Sequence, residues 1–391
     1  MPRTNLIVNL PGFTLKKVDG YAPLILNVEY KKQSKCLYCG NKKLRKKSSF
    51  TRKVKHESYG HRTTELRFKA YKFYCNQCNR YFNQRFEGIG KYQRSTQRLK
   101  QQIFEQHSRG VSQKDLSIDF KIGKATIERW YHEGYIREYQ EMNNQSCPSI
   151  LGIDEHFFSK RQGYVTTLCD LRKNRVFDLV PGRSGTSVTD YLHQLPGKEN
   201  VKVICMDLSS TYRSLVRNYF PKAKIVADRF HVIRLVNHMC MQSYQEVDPA
   251  MKHQRGLLAA LRSNPENLSE KNILKRDEYL NQQPIINAIY QFKQKLHQLL
   301  MRKTMPKHQC EKYIPKFLEM IKELKESPFK RLKTLGKTLY HWREEIVRMW
   351  RFSKNNGITE GFHRKMKLIQ RRAYGFRNFE NYRLRVRVLC S

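Results

Sequence analysis

The sequence predicts a multidomain protein whose centre is an α/β domain, a mixed five-stranded sheet with flanking helices. Short β-rich runs and helical stretches follow each other in the order β-β-β-α-β-α-β-α. The five β runs cover residues 150–153, 164–168, 175–180, 201–206 and 224–227. After His231 the pattern is helical to about Trp350, with no strand-like run. The 391 residues are enough for two or three domains, each with its own core.

The charge of the chain predicts a polyanionic partner. The 76 Lys and Arg residues against 34 Asp and Glu give a formal net charge of +42. Residues 31–100 hold 21 basic side chains and three acids, and the 31 residues after Glu360 hold nine and one. A hydrophobic fraction of 39% indicates a globular chain rather than a basic tail. We therefore favour nucleic acid over a membrane surface or any other polyanion.

Two other sequence features concern the cellular compartment. No window approaches the eighteen or so apolar residues of a membrane span, and residues 1–5 do not begin a signal peptide. Of ten cysteines, four fall in two C-x-x-C pairs and six are scattered, which is typical of a reducing compartment rather than of a disulfide framework. We expect an intracellular protein with no membrane partner.

Two C-x-x-C pairs predict a zinc site. Each pair offers two thiolates to one tetrahedral ion, and Zn²⁺ is the ion that four thiolates select. The four ligands would be Cys36, Cys39, Cys75 and Cys78. The 35 residues between the pairs exceed the usual zinc-ribbon gap, so we expect a β-hairpin or extended ribbon to bring the pairs together. The alternative is four unrelated buried cysteines. His56 and His61 are further candidate ligands, but we interpret them as phosphate or surface contacts.

A helical region follows, and part of it has helix-turn-helix form. Leu99, Ile103 and Phe104 form an apolar stripe within residues 94–139. In residues 111–130, Ser112 is a candidate N-cap, and Gly123 is expected to allow the tight turn. The residues expected to pack the two helices together are Leu116, Ile122, Ile127 and Trp130. The second helix would present three side chains to a DNA major groove: Lys124, Thr126 and Arg129. A helical hairpin with no DNA role is the alternative.

Three carboxylates form a candidate catalytic set. Asp154 closes the first β run and Asp207 closes the fourth, and in the strand order of RNase H-like domains those two strands lie side by side. Glu360 opens a helix after residues 355–359, with Thr359 as a candidate cap. Carboxylate oxygens suit hard divalent cations, and two such ions promote phosphoryl transfer. For any single Asp, a turn or capping role is the more frequent one.

Other residues near this set have weaker interpretations. Asp228 ends the fifth β run and is a secondary candidate that could tune the metals or orient His231, although a cap for the following helix is the favoured interpretation. Trp342 and Trp350 could stack on a flipped base, but packing between helices is favoured.

The helix that begins near Glu360 has two contrasting faces. One carries a basic track behind the acid: Arg364, Lys367 and Arg371. The neighbouring face carries Phe362, Met366, Ile369 and Ala373, which we expect to pack on the sheet. A solvated charged face is the usual alternative for such a track. Because it starts at a candidate catalytic acid, we predict that it binds DNA phosphates.

The whole chain resembles the ISL3 group of insertion-sequence DDE transposases. The matching stretches are residues 152–155, Met206 and Asp207 with Tyr212 and Pro221, residues 227–232, 356–361 and 367–382. The resemblance implies a catalytic triad of Asp154, Asp207 and Glu360, with Mg²⁺ or Mn²⁺ as the catalytic metal. It also implies a helical insertion that accommodates the 152 residues between Asp207 and Glu360.

These inferences divide the chain into five segments. They are a zinc-binding DNA-binding domain (1–92), a helix-turn-helix domain (93–146), the first part of an RNase H-like catalytic domain (147–234), an all-α insertion (235–350) and the C-terminal part of the catalytic domain (351–391).

The predicted function is that of a DNA transposase. Terminal inverted repeats would be bound by the zinc and helix-turn-helix modules. Water would attack a phosphodiester at the element end, and the freed 3′-hydroxyl would then attack target DNA. Two ends imply at least a homodimer on DNA, in the cytoplasm and nucleoid of a bacterium. The alternatives are a structure-specific nuclease and a catalytically inactive DNA-binding regulator.

Overall fold

The computed structural model describes residues 7–142, 146–182, 186–352 and 357–391. Its backbone contacts separate two compact units. The first consists of the described residues of Met1–Asn144 and of Leu368–Leu389, and the second of those of Gln145–Lys367 with Cys390–Ser391. Residues 368–389 thus group with the N-terminal part of the chain, whereas the sequence-based division assigned 351–391 to the catalytic domain.

The first unit begins with a five-stranded sheet. Its strands are β1 (Phe13–Asp19), β2 (Leu24–Tyr30), β3 (Leu44–Tyr59), β4 (Arg62–Cys75) and β5 (Arg80–Asn83). The order is β1-β2-β4-β3, and β5 pairs with the end of β4. β3 and β4 form a long antiparallel hairpin, in which Leu44 lies opposite Cys75. The hairpin spans the gap between the two C-x-x-C pairs, as predicted. Aromatic side chains pack its inner face, for example Phe13 against Phe68 with ring centroids 5.0 Å apart.

Three helices follow: α1 (Gln97–Ser108), α2 (Gln113–Asp119) and α3 (Lys124–Met142). The predicted cap is confirmed, since the Ser112 side chain accepts a hydrogen bond from the Asp115 amide. The predicted packing is confirmed as well, because Leu116, Ile127 and Trp130 are buried in one core with Ile122 packed against it. The role given to Gly123 is wrong. Lys121, with φ of 50°, holds the left-handed position in the turn.

The last helix, α14 (Phe379–Leu389), belongs to the helix-turn-helix core. Leu384, Val388 and Leu389 pack against that core, and the Arg387 guanidinium donates to the Tyr139 hydroxyl at 2.9 Å. The C-terminal basic residues of the chain are therefore attached to the helical part of the first unit.

The second unit has a mixed five-stranded sheet. Its strands are β6 (Ile150–Ser159), β7 (Gly163–Asp170), β8 (Arg175–Pro181), β9 (Val203–Met206) and β10 (Lys224–Ala227). The order is β10-β9-β6-β7-β8, with β7 antiparallel to both of its neighbours and the other pairings parallel. Helices α4 (Thr186–Gln194) and α5 (Ser210–Tyr219) connect the strands. All five predicted β runs are strands.

A long helical region follows β10. It contains α6 (Arg229–Val247), α7 (Arg255–Arg262), α8 (Glu270–Gln282), α9 (Pro284–Leu300), α10 (Lys307–Glu326), α11 (Lys330–His341) and α12 (Arg343–Arg351). Its core is continuous with that of the sheet. Trp342 and Trp350 are buried there, and Trp350 packs edge-on against Phe317. Packing is thus confirmed as the role of both tryptophans.

Buried charges join this helical region to the sheet. The Arg229 guanidinium donates to the backbone carbonyls of Leu300, Arg302 and Met349. Arg213 of α5 forms an ion pair of 2.6 Å with Glu345 of α12, whose side chain is 1% exposed. Because buried charges are costly unless paired, these contacts hold the helices in one position against the sheet.

One further helix, α13 (Gly357–Arg372), precedes α14. Within the described part of the chain, no helix has the length and apolar character that crossing a bilayer requires.

Candidate active site

Three aspartates lie at one level of three adjacent parallel strands. The register places Ile153 of β6 opposite Met206 of β9, and Met206 opposite Ala227 of β10. The next residues along the three strands are Asp154, Asp207 and Asp228. The carboxylates therefore leave neighbouring strands at the same edge of the sheet.

Asp154 does not end its strand, so that part of the prediction is wrong. β6 continues to Ser159 because it still pairs with β7, with Phe157 opposite Tyr164, after β9 has ended at Met206. Asp154 is consequently held by a continuous antiparallel pairing, in which it lies opposite Thr167.

The carboxylates of Asp154 and Asp207 lie in a poorly solvated environment. Burial raises the pKa of Asp154 to about 6, and the nearby charges of Asp207 and Asp228 add to this, against a hydrogen bond from the Glu155 amide at 2.8 Å. Burial also raises the pKa of Asp207. The Oδ1 atom of Asp207 is buried and has no hydrogen-bond partner among the described residues. A divalent cation fits this arrangement, because it would supply positive charge beside both carboxylates and would give Asp207 Oδ1 a partner.

Glu360 lies on the exposed side of α13. Its Oε1 atom accepts a hydrogen bond of 2.8 Å from the Arg364 guanidinium. Among the described residues, Asp154, Asp207 and Glu360 do not form a set whose ligand oxygens all lie within 4.8 Å of one another. The structure thus brings Asp154 and Asp207 to one edge but directs the Glu360 carboxylate to its own helix.

The start of α13 differs from the prediction. The helix begins at Gly357, so Thr359 lies inside its first turn, fully buried, and does not cap it. The hydroxyl of Thr359 contacts the Cys169 thiol of β7. Asn355 and Asn356 of the sequence motif lie outside the described residues.

A polar cluster beside Asp154 was not predicted. The Thr167 hydroxyl lies 2.9 Å from His156 Nδ1 and 3.2 Å from His363 Nε2. His363 Nδ1 lies 3.8 Å from Asp154 Oδ2. Burial lowers the pKa of His156 to about 3 and that of His363 to about 4, so both rings are neutral near pH 7. His363 connects α13 to the strand that carries Asp154.

Asp228 has the capping role that the sequence favoured. Its side chain is buried and accepts a hydrogen bond of 3.3 Å from the Phe230 amide at the start of α6. His231 Nε2 lies 3.6 Å from Asp228 Oδ2, and its positive charge when protonated favours ionised Asp154 and Asp207. The cap interpretation is confirmed, and Asp228 also adds negative charge beside the other two aspartates.

The four cysteines of the two C-x-x-C pairs form one cluster. All four sulfur atoms lie within 4.8 Å of one another. The distances from Cys36 Sγ to Cys78 Sγ and from Cys39 Sγ to Cys75 Sγ are both 3.5 Å. A tetrahedral site with Zn–S bonds of about 2.3 Å has sulfur atoms about 3.8 Å apart. The cluster therefore has the size and ligand chemistry of a zinc site.

The backbone around the two C-x-x-C pairs turns tightly and directs amide groups toward the sulfur atoms. The residue after each pair is in the left-handed region, Gly40 with φ of 75° and Asn79 with φ of 52°. Burial raises the pKa of the Cys36 thiol, but the amides of Tyr38 and Cys39 and the neighbouring thiols outweigh it and lower the pKa to about 6. Amide donors that favour the thiolate of Cys36 suit metal binding, because the thiolate is the form that binds a metal ion.

His56 has a different role from the predicted surface contact. It is 1% exposed, and its Nδ1 atom lies 3.0 Å from the hydroxyl of Thr96, the residue that caps α1. Burial lowers its pKa to about 4, with help from the charge of Arg98. His56 therefore links the sheet to the first helix, whereas His61 is exposed at the hairpin turn.

The candidate DNA-reading residues lie on one end of α3. Lys124 and Arg129 are exposed, and Thr126 is half-buried. Their positions agree with a helix whose N-terminal part meets DNA.

The basic track on α13 is exposed along its length. Arg364, Lys367 and Arg371 all point away from the buried side of the helix. The apolar face is only partly as predicted. Met366 is fully buried, but Ile369 and Ala373 line a small pocket with His107 and Tyr135 of the helix-turn-helix core, not with the sheet.

Family models match three parts of the chain, and one curated relative matches most of it. A model of ISL3-type DDE transposases, described as a transposase, matches residues 151–386. The zinc finger of the transposases IS204/IS1001/IS1096/IS1165 matches residues 32–78, and the helix-turn-helix domain of transposase family ISL3 matches residues 84–135. The transposase for insertion sequence element IS1001 of Bordetella parapertussis is 24% identical over 328 residues, which cover 81% of this chain and 79% of the relative.

Proposed function

The chain belongs to the ISL3 family of transposases, and we propose that it cuts DNA at the ends of its insertion sequence and joins them to target DNA through Asp154, Asp207 and Glu360. That it is a DNA transposase with zinc-binding and helix-turn-helix domains follows from the family. The observation that carries the proposed chemistry is the strand register. It sets Asp154 and Asp207 level on two adjacent parallel strands.

We assign the sheet and its helices to an RNase H-like fold. Numbered within the domain, the strand order is 5-4-1-2-3, and only the second strand runs antiparallel to the rest. The helical residues from about Leu235 to Trp350 would then be the all-α insertion, since they lie between the fifth strand and α13. This assignment supports the choice of acids, because Asp154 inside the first strand lies level with Asp207, which directly follows the fourth strand.

Asp154 and Asp207 would hold divalent cations, Mg²⁺ or Mn²⁺, with Glu360 as the third ligand. When bound, such ions promote attack on a phosphodiester and stabilise the leaving oxygen. The buried Oδ1 of Asp207, which lacks a hydrogen-bond partner among the described residues, supports this role. Glu360 must exchange its bond to Arg364 for a cation. That exchange would free the Arg364 guanidinium for a DNA phosphate at the same moment.

His363 is a positioning residue in this scheme. Its neutral ring connects Thr167 to Asp154, with Nε2 3.2 Å from the threonine hydroxyl and Nδ1 3.8 Å from the carboxylate. Through its bond to Thr167, which lies opposite Asp154 on the next strand, it holds α13, which carries Glu360, beside the Asp154 carboxylate.

DNA recognition is assigned to two modules of the first unit. The zinc-binding hairpin and α3, through Lys124, Thr126 and Arg129, would bind the terminal repeats, and the track Arg364, Lys367 and Arg371 would bind phosphates near the cut. Since an element has two ends, we propose that the chain acts at least as a homodimer on DNA.

The experiment that tests this function is strand transfer with a pre-cut element end. Purified protein, Mg²⁺ or Mn²⁺ and a target plasmid should give covalent joining of the end to the target. A structure-specific nuclease would cut the plasmid without joining, and a regulator would bind the end without any covalent product. Either of those results, with folded and zinc-loaded protein, would contradict the proposal.

A further inference from the structure

A cavity of about 700 Å³ lies directly against Asp207. One face of α6 forms much of its wall, together with Arg262 at the end of α7 and Thr338 of α11. Its volume is within the range of about 300 to 1,000 Å³ that is typical of ligand pockets. A space of this size beside a candidate catalytic carboxylate is available to a part of the substrate.

Phe230 provides a stacking surface at this cavity. It is 50% exposed although it lies in the first turn of a well-anchored helix. Asp228 caps that turn, and Arg229 is held by three backbone carbonyls. The ring is thus exposed to solvent on a backbone that the cap at Asp228 and the bonds of Arg229 hold in place. Exposed aromatic rings on rigid supports are the platforms on which unpaired bases stack.

The charged residues of the cavity are cationic, apart from Asp207. Arg234 follows Phe230 by four residues on the same face of α6, and Arg262 lies across the space. Both arginines are exposed, and among the described residues neither has an ion-pair partner. Ile233, Leu235 and Met241 make much of the remaining wall apolar. An apolar wall with an aromatic ring and two available guanidinium groups matches a base joined to a phosphate.

We propose that this cavity receives an unpaired nucleotide next to the scissile phosphate, with its base against Phe230 and its phosphate near Arg234 and Arg262. The inference rests on the proposed function, in which Asp207 acts at the scissile phosphate. The two tryptophans that the sequence offered for base stacking are buried in the helical core, which leaves Phe230 as the aromatic side chain at this position.

The test places 2-aminopurine in element-end DNA at the nucleotide that flanks the cleavage site. Its fluorescence rises when a base leaves the duplex stack. Wild-type protein in Ca²⁺, which blocks cleavage, should raise the signal, and Phe230→Ala should abolish the rise. Phe230→Ala should also slow cleavage roughly 5- to 150-fold, and an abasic site at that nucleotide should reduce the defect. Arg234→Gln should weaken the signal without changing unfolding temperature.

Tyr340→Ala is the matched control, since Tyr340 is a 45% exposed aromatic residue of α11 that does not line the cavity. A normal fluorescence rise with Phe230→Ala would overturn the inference. So would binding of free deoxynucleoside monophosphates in the cavity with no change in the DNA signal. Asp207→Asn separates the two proposals. If this variant still cleaves, the proposed function fails, whereas an inactive Asp207→Asn beside a normal Phe230→Ala removes only the cavity inference.

Discussion

The basic track on α13 gives a quantitative prediction about salt. Lys367 and Arg371 are exposed, and among the described residues neither forms an ion pair, whereas Arg364 is already paired with Glu360 in the free protein. Neutralising the first two with Lys367→Gln and Arg371→Gln should therefore remove two phosphate contacts and leave the fold intact.

Each phosphate contact contributes about 0.9 to the slope of log K against log salt concentration, so the double variant should have a slope smaller by about 1.8. Between 50 and 200 mM salt the wild type should then lose roughly 12-fold more affinity for element-end DNA than the variant. Fluorescence anisotropy over a salt series measures both slopes.

A charge-matched control is available in the helical region. Lys316 of α10 and Lys333 of α11 are exposed, and their double replacement by Gln changes the net charge by the same amount. If long-range attraction alone were responsible, the control would change the slope equally. An unchanged slope in Lys367→Gln/Arg371→Gln, with normal strand joining, would show that the DNA passes elsewhere.

Three further predictions concern the first unit. Purified protein should hold about one tightly bound Zn²⁺ per chain. Replacing both Cys36 and Cys75 by Ser should remove the metal and unfold the hairpin. Metal analysis that finds no Zn²⁺ in the wild type would refute the site. Arg129→Ala should reduce preference for element ends more than binding to random DNA, and an equal loss on both would show a phosphate contact only. Burial lowers the pKa of His56 from its usual 6.5 to about 4. Since the unfolded chain then takes up a proton that the folded chain excludes, stability should fall as pH drops from about 6.5 to about 4. Urea unfolding at pH 7 and 4.5 should show a loss of roughly 2 to 3 kcal/mol from this residue, which His56→Gln should remove.

The catalytic sheet was predictable from the sequence because its strands are short, buried and separated by helices of ordinary length. All five β runs overlap observed strands, although the 201–206 run starts two residues before β9, and β6 continues beyond the 150–153 run to Ser159. The extension could not be seen, since it depends on pairing with β7 and not on the composition of β6. In the first unit, β1 and β2 were not predicted: Lys16 and Lys17 interrupt the alternation of β1, whereas the alternation of Leu26 and Val28 in β2 was a visible signal that was not used.

Of the candidate site, only the acidic residues were predicted from the sequence; the histidine and threonine beside Asp154 were not. His363 follows Glu360 by three residues and was a visible signal, but its partners Thr167 and Asp154 lie on other elements, so no local pattern connects them. The left-handed residue of the helix-turn-helix turn could not be identified from the sequence either. Glycine is the usual residue at a positive φ, so Gly123 was the natural choice, whereas the structure has Lys121 in that conformation. Periodicity likewise predicted that Ile369 is buried, but not which surface covers it.

The choice of second carboxylate is the central claim, and a comparison of Asp207→Asn with Asp228→Asn tests it most directly. Both side chains lie at the same level of adjacent strands, and both variants keep their shape while losing the negative charge. In a strand-transfer assay with Mg²⁺ or Mn²⁺, Asp207→Asn should abolish cleavage and joining while end binding survives. Asp228→Asn should retain activity and thermal stability, because an asparagine side chain can accept the same hydrogen bond from the Phe230 amide. An active Asp207→Asn beside an inactive Asp228→Asn would contradict the assignment.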